Sequence, residues 1–61
     1  MLLYTVLSKD YPQLKEYVKK FEKDKSIDSY GFYKNKRNEL YYRVKRKNNK
    51  NQIITGNYVK V

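Results

Sequence analysis

Apolar residues recur at different spacings along the chain, and each spacing predicts a different element. Residues 2–7 read LLYTVL, a run of β-forming residues that is apolar on both faces. Such a run is typical of an internal strand, so we expect it to lie at the centre of a sheet. The polar residues 8–10 then end the run.

A helix is predicted to follow, because the next apolar residues recur three or four positions apart. Asp10, with Gln13 three residues later, resembles a capping box, so we expect the helix to begin there with Pro12 in its first turn. The helix should end near Lys23, and Ile27 should start the return strand. Its apolar stripe consists of Tyr11, Leu14, Tyr17, Val18 and Phe21.

The second half of the chain predicts further strands. Residues 29–34 alternate loosely, with Tyr30 and Phe32 on one side, and Gly31 indicates a β-bulge. The polar residues 35–38 indicate a hairpin turn. The following strand, to residue 47, alternates more cleanly and therefore has two faces of opposite character. One face carries Leu40, Tyr42 and Val44, and the other carries Tyr41, Arg43, Lys45 and Lys47.

A second polar turn at residues 48–51 precedes an Ile-rich strand at 52–55, and residues 58–61 either extend that strand past Gly56 or form a tail. The order of elements is therefore β–α–β–β–β. We predict an α+β fold in a single domain spanning residues 1–61, with an antiparallel sheet and the helix packed on one face. The opposite face of the sheet would be basic and aromatic.

The composition limits how so small a protein can be stabilised. The 61 residues include no cysteine and no histidine, so we expect no disulfide, no metal and no cofactor. Eight tyrosines and two phenylalanines supply core area instead, at roughly 150–250 Å² for each ring. No apolar run approaches the ~20 residues of a membrane span, and residues 1–7 lack the basic flank of a secretory signal. The sequence thus predicts a soluble cytoplasmic protein.

Positive charge is concentrated in one part of the chain. The formal net charge is +9, from 15 Lys and Arg against six Asp and Glu. Residues 34–50 hold eight of the basic residues and only Glu39 as an acid, which gives a local net charge of +7. Such a charge attracts polyanions over a Debye length, ~8–10 Å at ordinary salt.

The segment from residue 32 to residue 58, FYKNKRNELYYRVKRKNNKNQIITGNY, resembles the three-strand unit of the YegP-like family of small uncharacterised domains. An aromatic strand, a polar turn, an aromatic strand ending in basic residues and an Ile-rich strand ending in Tyr follow at similar spacing. The chain departs from the family at Asn48-Asn49, where the family usually has Asn-Gly, and in its helix, which precedes the strands. The resemblance implies an α+β meander and no particular chemistry.

Catalysis is not expected from these residues. Without His and Cys, the commonest general base and the best nucleophile are missing. Gly31 and Gly56 are too few for a phosphate-binding glycine loop. The carboxylates are explained as a helix cap, outer helix charges and loop residues, and a tyrosine nucleophile would need a cleft that so small a domain rarely forms. We therefore interpret the protein as a non-enzyme.

Tyrosines and cations on one sheet face favour nucleic-acid binding. Tyrosine rings stack on unpaired bases at ~1–3 kcal/mol each, while Arg and Lys neutralise phosphates. Several single-strand binders use a sheet in this way. The candidate binding residues are Tyr33, Tyr41, Arg43, Lys45 and Lys47 on the strands, with Arg37, Arg46 and Lys50 on the flanking turns.

The same cations have a simpler interpretation as the solvated face of an antiparallel sheet, where Lys and Arg also discourage edge-to-edge aggregation. For any one of these residues the solvated face is the better interpretation. For the cluster as a whole both interpretations stay open, because a local charge of +7 exceeds what solubility requires. Arg46 shares its strand face with Val44, so it must either extend past the helix end or lie beyond the end of the strand.

A second hypothesis, from a different class, stays open. A short chain rich in Lys and Asn suits a small inhibitor or adaptor, encoded by a virus or mobile element, that docks on an acidic or nucleic-acid-binding groove of a larger protein. A homodimer through strand edges or the sheet face is compatible with both hypotheses. Peripheral membrane binding is disfavoured, because the core needs the apolar helix stripe and because Glu16 and Glu22 interrupt the outer lysines.

Overall fold

The computed structural model describes residues 2–61 and has a helix on one face of an antiparallel sheet. The elements are β1 (Tyr4–Val6), α1 (Lys15–Lys23), β2 (Ile27–Lys34), β3 (Leu40–Lys47), β4 (Ile53–Thr55) and β5 (Val59–Lys60). The order across the sheet is β1-β2-β3-β4, and β5 also pairs with β3. The predicted α+β class and the predicted order of elements are confirmed.

β4 and β5 lie along the same edge of β3 and together act as one interrupted strand. β4 pairs with the C-terminal half of β3, and β5 pairs with its N-terminal half. Between them the Gly56 N–H donates to the Val44 carbonyl at 2.9 Å, and a Cβ on Gly56 would lie only 3.2 Å from that oxygen. The last residues therefore extend the strand rather than forming a tail.

Phe21 of α1 stands at the centre of the core. Its ring centroid lies 5.1 Å from that of Tyr42 and 6.1 Å from that of Phe32. Phe21, Phe32 and Leu14 are buried, and the rest of the predicted helix stripe packs against them, which confirms that stripe. Replacing Phe21 with Ala would remove the link between helix and sheet and should cost about 3–5 kcal/mol.

The two faces of β3 are divided as the alternation predicts. Leu40, Tyr42 and Val44 pack, partly buried, against the core cluster beneath α1. Because successive side chains of a strand point to opposite faces, Tyr41 and Arg43 point away from the helix. The same division on β2 puts Phe32 in the core.

The start of the helix differs from the prediction. Residues 8–10 and 12–14 form two short 3₁₀ turns, and α1 begins only at Lys15, with Leu14 at the capping position and no side-chain cap. The capping box at Asp10 is therefore wrong. Tyr11 separates the two turns in an extended conformation, with φ −132° and ψ 91°. A following proline favours that region, so Pro12 interrupts a continuous helix while fitting the first position of the second turn.

β1 lies at the edge of the sheet, not at its centre as predicted. It pairs with β2 alone, with Val6 opposite Phe32. The apolar run that indicated a central strand instead leaves side chains in solvent, with Leu2 57% and Leu7 56% exposed. Apolar residues on both faces indicate burial only where both faces are covered, and α1 covers one.

The two hairpin turns share a sequence pattern and a geometry. Residues 35–39 read NKRNE and residues 48–52 read NNKNQ. In each, Oδ1 of the first Asn accepts hydrogen bonds from two backbone N–H groups, and its Nδ2 donates to the side chain of the fifth residue. The fourth residue has a positive φ, 63° at Asn38 and 60° at Asn51. Asn tolerates this conformation better than most residues, which explains the repeated pattern.

Candidate nucleic-acid interface

The face of the sheet turned away from α1 is the open face. Directly paired residues of neighbouring strands lie on the same face of a sheet, so the pairing register identifies its members. On β2 to β5 and the segment joining β4 to β5, the open face consists of Ser29, Gly31, Tyr33, Tyr41, Arg43, Lys45, Lys47, Ile53, Thr55, Tyr58 and Lys60. Five of the eight predicted binding residues are among them.

Three cations follow one another along β3 on the open face. Arg43 is partly buried, whereas Lys45 and Lys47 are exposed. Their backbone positions are about 7 Å apart, because a strand rises about 3.4 Å per residue and alternate residues share a face. Among the described residues of β2 to β5, strand pairing assigns no Asp or Glu to this face, and Asp28, in the register shift between Ile27 and Ser29, has no paired partner that assigns it to either face. The three side chains of the row itself are all positively charged.

Arg43 lies against two tyrosine rings. Its guanidinium carbon lies 4.7 Å from the ring centroid of Tyr58 and 5.7 Å from that of Tyr33. The two rings also touch each other edge to face, with centroids 5.1 Å apart. Cation–π attraction of this kind orients the guanidinium over the open face before any ligand arrives.

Gly31 makes room for the Tyr33 ring. A Cβ at Gly31 would lie 2.8 Å from Oη of Tyr33 and 3.2 Å from its Cζ, so the ring leans back along β2 over the glycine. The predicted bulge at Gly31 is wrong, because the register shift in β2 falls between Ile27 and Ser29. Gly31 is instead a site of close side-chain approach, and it lies directly opposite Arg43.

Tyr41 lies between Tyr33 on β2 and Lys60 on β5. Lys60 is an ion-pair partner of Glu39, with Nζ 2.6 Å from Oε2. The pKa of the Glu39 carboxyl is lowered first by a hydrogen bond from Asn35 and then by Lys60, while Glu39 raises the pKa of Lys60. Both groups are therefore charged at neutral pH, and the positive charge of Lys60 is largely compensated.

Arg46 lies on the other side of the sheet from the open face. It belongs to β3 rather than to a turn, so its predicted placement on a flanking turn is wrong. Its guanidinium extends past the end of α1 and donates to Asp24, at 3.0 Å, and to Ser26. Hydrogen bonds from Ser26 and then Arg46 lower the pKa of Asp24 from 3.8 to about 2. Arg46 thus ties β3 to the end of the helix.

Arg37 and Lys50 occupy equivalent places in the two hairpin turns, at opposite ends of β3. Each is exposed, and each donates its backbone N–H to the first Asn of its turn at 2.9 Å. Their backbones are fixed by the turn while their side chains extend into solvent. The two cations therefore flank the row of charges on β3.

Tyr58 is the open-face tyrosine that the sequence analysis missed. The Gly56 interruption hid the fact that residues 53–60 follow one edge of β3. The available signal was the alternation of Tyr58 with Lys60, which places both on one face if β5 is treated as a strand. The residue is 41% exposed although its ring contacts Tyr33 and Arg43.

Two further kinds of feature, a metal site and a membrane-spanning helix, were sought in the part of the chain that the structure describes. Within residues 2–61, no group of three or more Asp or Glu side chains is placed to hold a metal ion. No helix among these residues is long and apolar enough to cross a membrane.

Comparison of the chain with protein families, with curated proteins and with solved structures finds no match. The YegP-like resemblance of residues 32–58 therefore stays a prediction from the sequence.

Proposed function

We propose that this protein is a non-enzymatic nucleic-acid-binding protein that holds single strands on its open face. The observation that carries the proposal is the row formed by Arg43, Lys45 and Lys47, which lies beside tyrosine rings on the sheet face that α1 leaves uncovered. Binding is driven mainly by phosphate contacts and has weak sequence preference.

The electrostatics support phosphate as the main target. Lys45 and Lys47 are exposed, and no ion-pair partner among the described residues lies within 4.0 Å of either. Arg37 and Lys50 extend the positive surface at both ends of β3. Each phosphate neutralised in this way releases counterions, so binding should respond steeply to salt.

The aromatic residues support single strands over duplexes. Tyr33, Tyr41 and Tyr58 lie on the open face, and an unpaired base can stack on any exposed ring face at ~1–3 kcal/mol. Bases within a duplex are already stacked on each other and cannot reach a sheet surface. The contacts among Tyr33, Arg43 and Tyr58 also reduce the side-chain freedom that binding would otherwise remove.

The test is the salt dependence of binding to unstructured oligonucleotides of about 12 residues, within the site sizes of single-strand binders. Fluorescence anisotropy should give an affinity that falls linearly on a log–log plot between about 50 mM and 200 mM salt, with a slope equivalent to several phosphates. A duplex of the same sequence should bind more weakly per phosphate. Absence of binding at the lowest salt, or binding indifferent to salt, would overturn the proposal.

A protein partner is the second candidate, with the chain acting as a small inhibitor or adaptor. The apolar edge formed by β4 and β5 favours it, because Ile53, Ile54 and Val59 are 48%, 54% and 45% exposed. Exposed apolar residues on an unpaired strand edge are a common basis for protein association. Capture from nuclease-treated extract tests it: a partner retained after nuclease and released by Ile54→Lys supports this candidate, and a partner lost with the nucleic acid rejects it.

A further inference from the structure

A concavity lies at one end of the open face, beside the turn between β2 and β3. Its volume is about 460 Å³, within the roughly 300–1,000 Å³ typical of small-molecule sites. The lining residues are Leu2, Asn35, Lys36, Arg37, Glu39 and Tyr41. Because Tyr41 also belongs to the open face, a strand lying along β3 would reach this concavity at its end.

Glu39 is the unusual member of this lining. It is the only acidic residue among residues 34–50, where eight cations surround it in sequence. Its Oε1 accepts from Asn35 Nδ2 at 3.0 Å, and its Oε2 pairs with Lys60. A carboxylate has about four acceptor positions, so these two partners leave each oxygen able to accept one more hydrogen bond.

The negative charge of Glu39 is not needed to form the turn. In the matching turn, Gln52 occupies the equivalent place, and its Oε1 accepts from Asn48 Nδ2 at 3.2 Å. The backbone hydrogen bonds of the two turns are otherwise the same. A glutamine therefore serves the structural role, and the charge at Glu39 is left for the ion pair with Lys60 and for a ligand.

We propose that this concavity binds one nucleobase that carries an exocyclic amino group, with Glu39 as the acceptor. This inference rests on the proposed function and adds a base preference at one position of the strand. The ring of Tyr41 supplies a stacking surface, and Lys36 and Arg37 contact the flanking phosphates. An ionised carboxylate only accepts hydrogen bonds, so it selects the amino group of cytosine and opposes the carbonyl that thymine or uracil has at the same place.

Cytosine and thymine give the cleanest comparison, because both are pyrimidines and the oligonucleotides carry equal charge. Oligo-dC and oligo-dT of about 12 residues are titrated by anisotropy at one low salt concentration. The wild-type protein should bind oligo-dC roughly tenfold more tightly, the size expected for one good base contact. Equal affinity for the two overturns this inference and leaves the proposed function standing, whereas no binding to either overturns the proposed function itself.

Two matched variants then locate the preference. Glu39→Gln keeps the acceptor that the turn needs, as Gln52 shows, but removes the charge. Glu16→Gln changes the net charge equally on the outer face of α1, so any general gain in affinity is shared by both. Preference for oligo-dC should be lost in Glu39→Gln and retained in Glu16→Gln. Retention of the preference in Glu39→Gln overturns the assignment of Glu39.

A second measurement does not depend on the fold of any variant. Cytidine and uridine monophosphates are titrated into the wild-type protein while backbone amide signals are followed by NMR. Cytidine monophosphate should shift the amides of residues 35–41 more strongly and at lower concentration than uridine monophosphate does. Shifts of equal size for the two nucleotides, or shifts confined to other residues, overturn the inference.

Discussion

The guanidinium of Arg43 lies over the ring of Tyr58, 4.7 Å from its centroid. Because Tyr58 follows the Gly56 interruption, this contact stabilises the packing of the C-terminal segment against β3. Tyr58→Leu should lower the free energy of unfolding by about 1 kcal/mol, from the lost cation–π and aromatic contacts. Tyr58→Phe keeps both contacts and should match the wild type in urea denaturation. Equal losses of unfolding free energy in the two variants would show that the contacts of the Tyr58 ring do not contribute to stability.

Gly31 and Tyr33 should be energetically coupled. Gly31→Ala places a methyl group 2.8 Å from Oη of Tyr33 and forces the ring to move, which should cost about 1 kcal/mol. In a Tyr33→Leu background the clash is absent, so the same substitution should be much less costly. A double-mutant cycle in urea measures the coupling, expected to be at least about 0.5 kcal/mol. Additive effects of the two substitutions on the free energy of unfolding would contradict the close approach of the Tyr33 ring to Gly31.

The positive φ at Asn38 and Asn51 makes a prediction about the turns. Glycine adopts this conformation without steric cost, so Asn38→Gly should leave the free energy of unfolding nearly unchanged. Asn38→Val should lower it by about 1–2 kcal/mol, because a β-branched residue is strained there. The same pair at Asn51 should repeat the difference. Valine and glycine variants of equal stability would show that neither turn imposes this conformation.

Asp24 makes stability depend on pH. Its pKa is about 2 in the folded protein and returns to about 3.8 on unfolding, so the unfolded state binds more protons between these values. Its contribution is complete above the unfolded pKa and is lost as the pH falls through the folded pKa. Glu39, whose pKa is also lowered, acts in the same direction.

The measurement is urea denaturation from about pH 5 to about pH 2. The wild type should lose stability across this window, and Asp24→Asn should lose less because the slope from Glu39 alone remains. Identical pH profiles for the two proteins would contradict the lowered pKa of Asp24.

Local periodicity predicted the parts of the fold that depend on one element at a time. The stripe from Leu14 to Phe21 and the two faces of β3 follow from repeats of 3.6 and 2 residues, and the structure places both as expected. The row of Arg43, Lys45 and Lys47 was therefore visible in the sequence.

The predictions that failed concern features that depend on long-range strand pairing or on one residue that interrupts an element. β1 is an edge strand because it pairs with β2 alone, while the central strand β3 pairs with β2 on one side and with β4 and β5 on the other. No local sequence pattern contains this pairing. The capping box at Asp10 failed because Tyr11 ahead of Pro12 is extended. Tyr58 was missed because its contact with Arg43 becomes visible only once residues 53–60 are seen to follow one strand edge.

The most direct test of the open face compares two double variants that each lower the net charge by two. Lys45→Gln/Lys47→Gln removes cations from β3, and Lys15→Gln/Lys19→Gln removes them from α1 on the other side of the sheet. The log–log salt slope for oligo-dT binding should shrink by about 1.4 in the β3 variant, from two lost phosphate contacts, and stay unchanged in the α1 variant. Equal slopes in the two variants, or the larger loss in the α1 variant, would contradict binding at the open face.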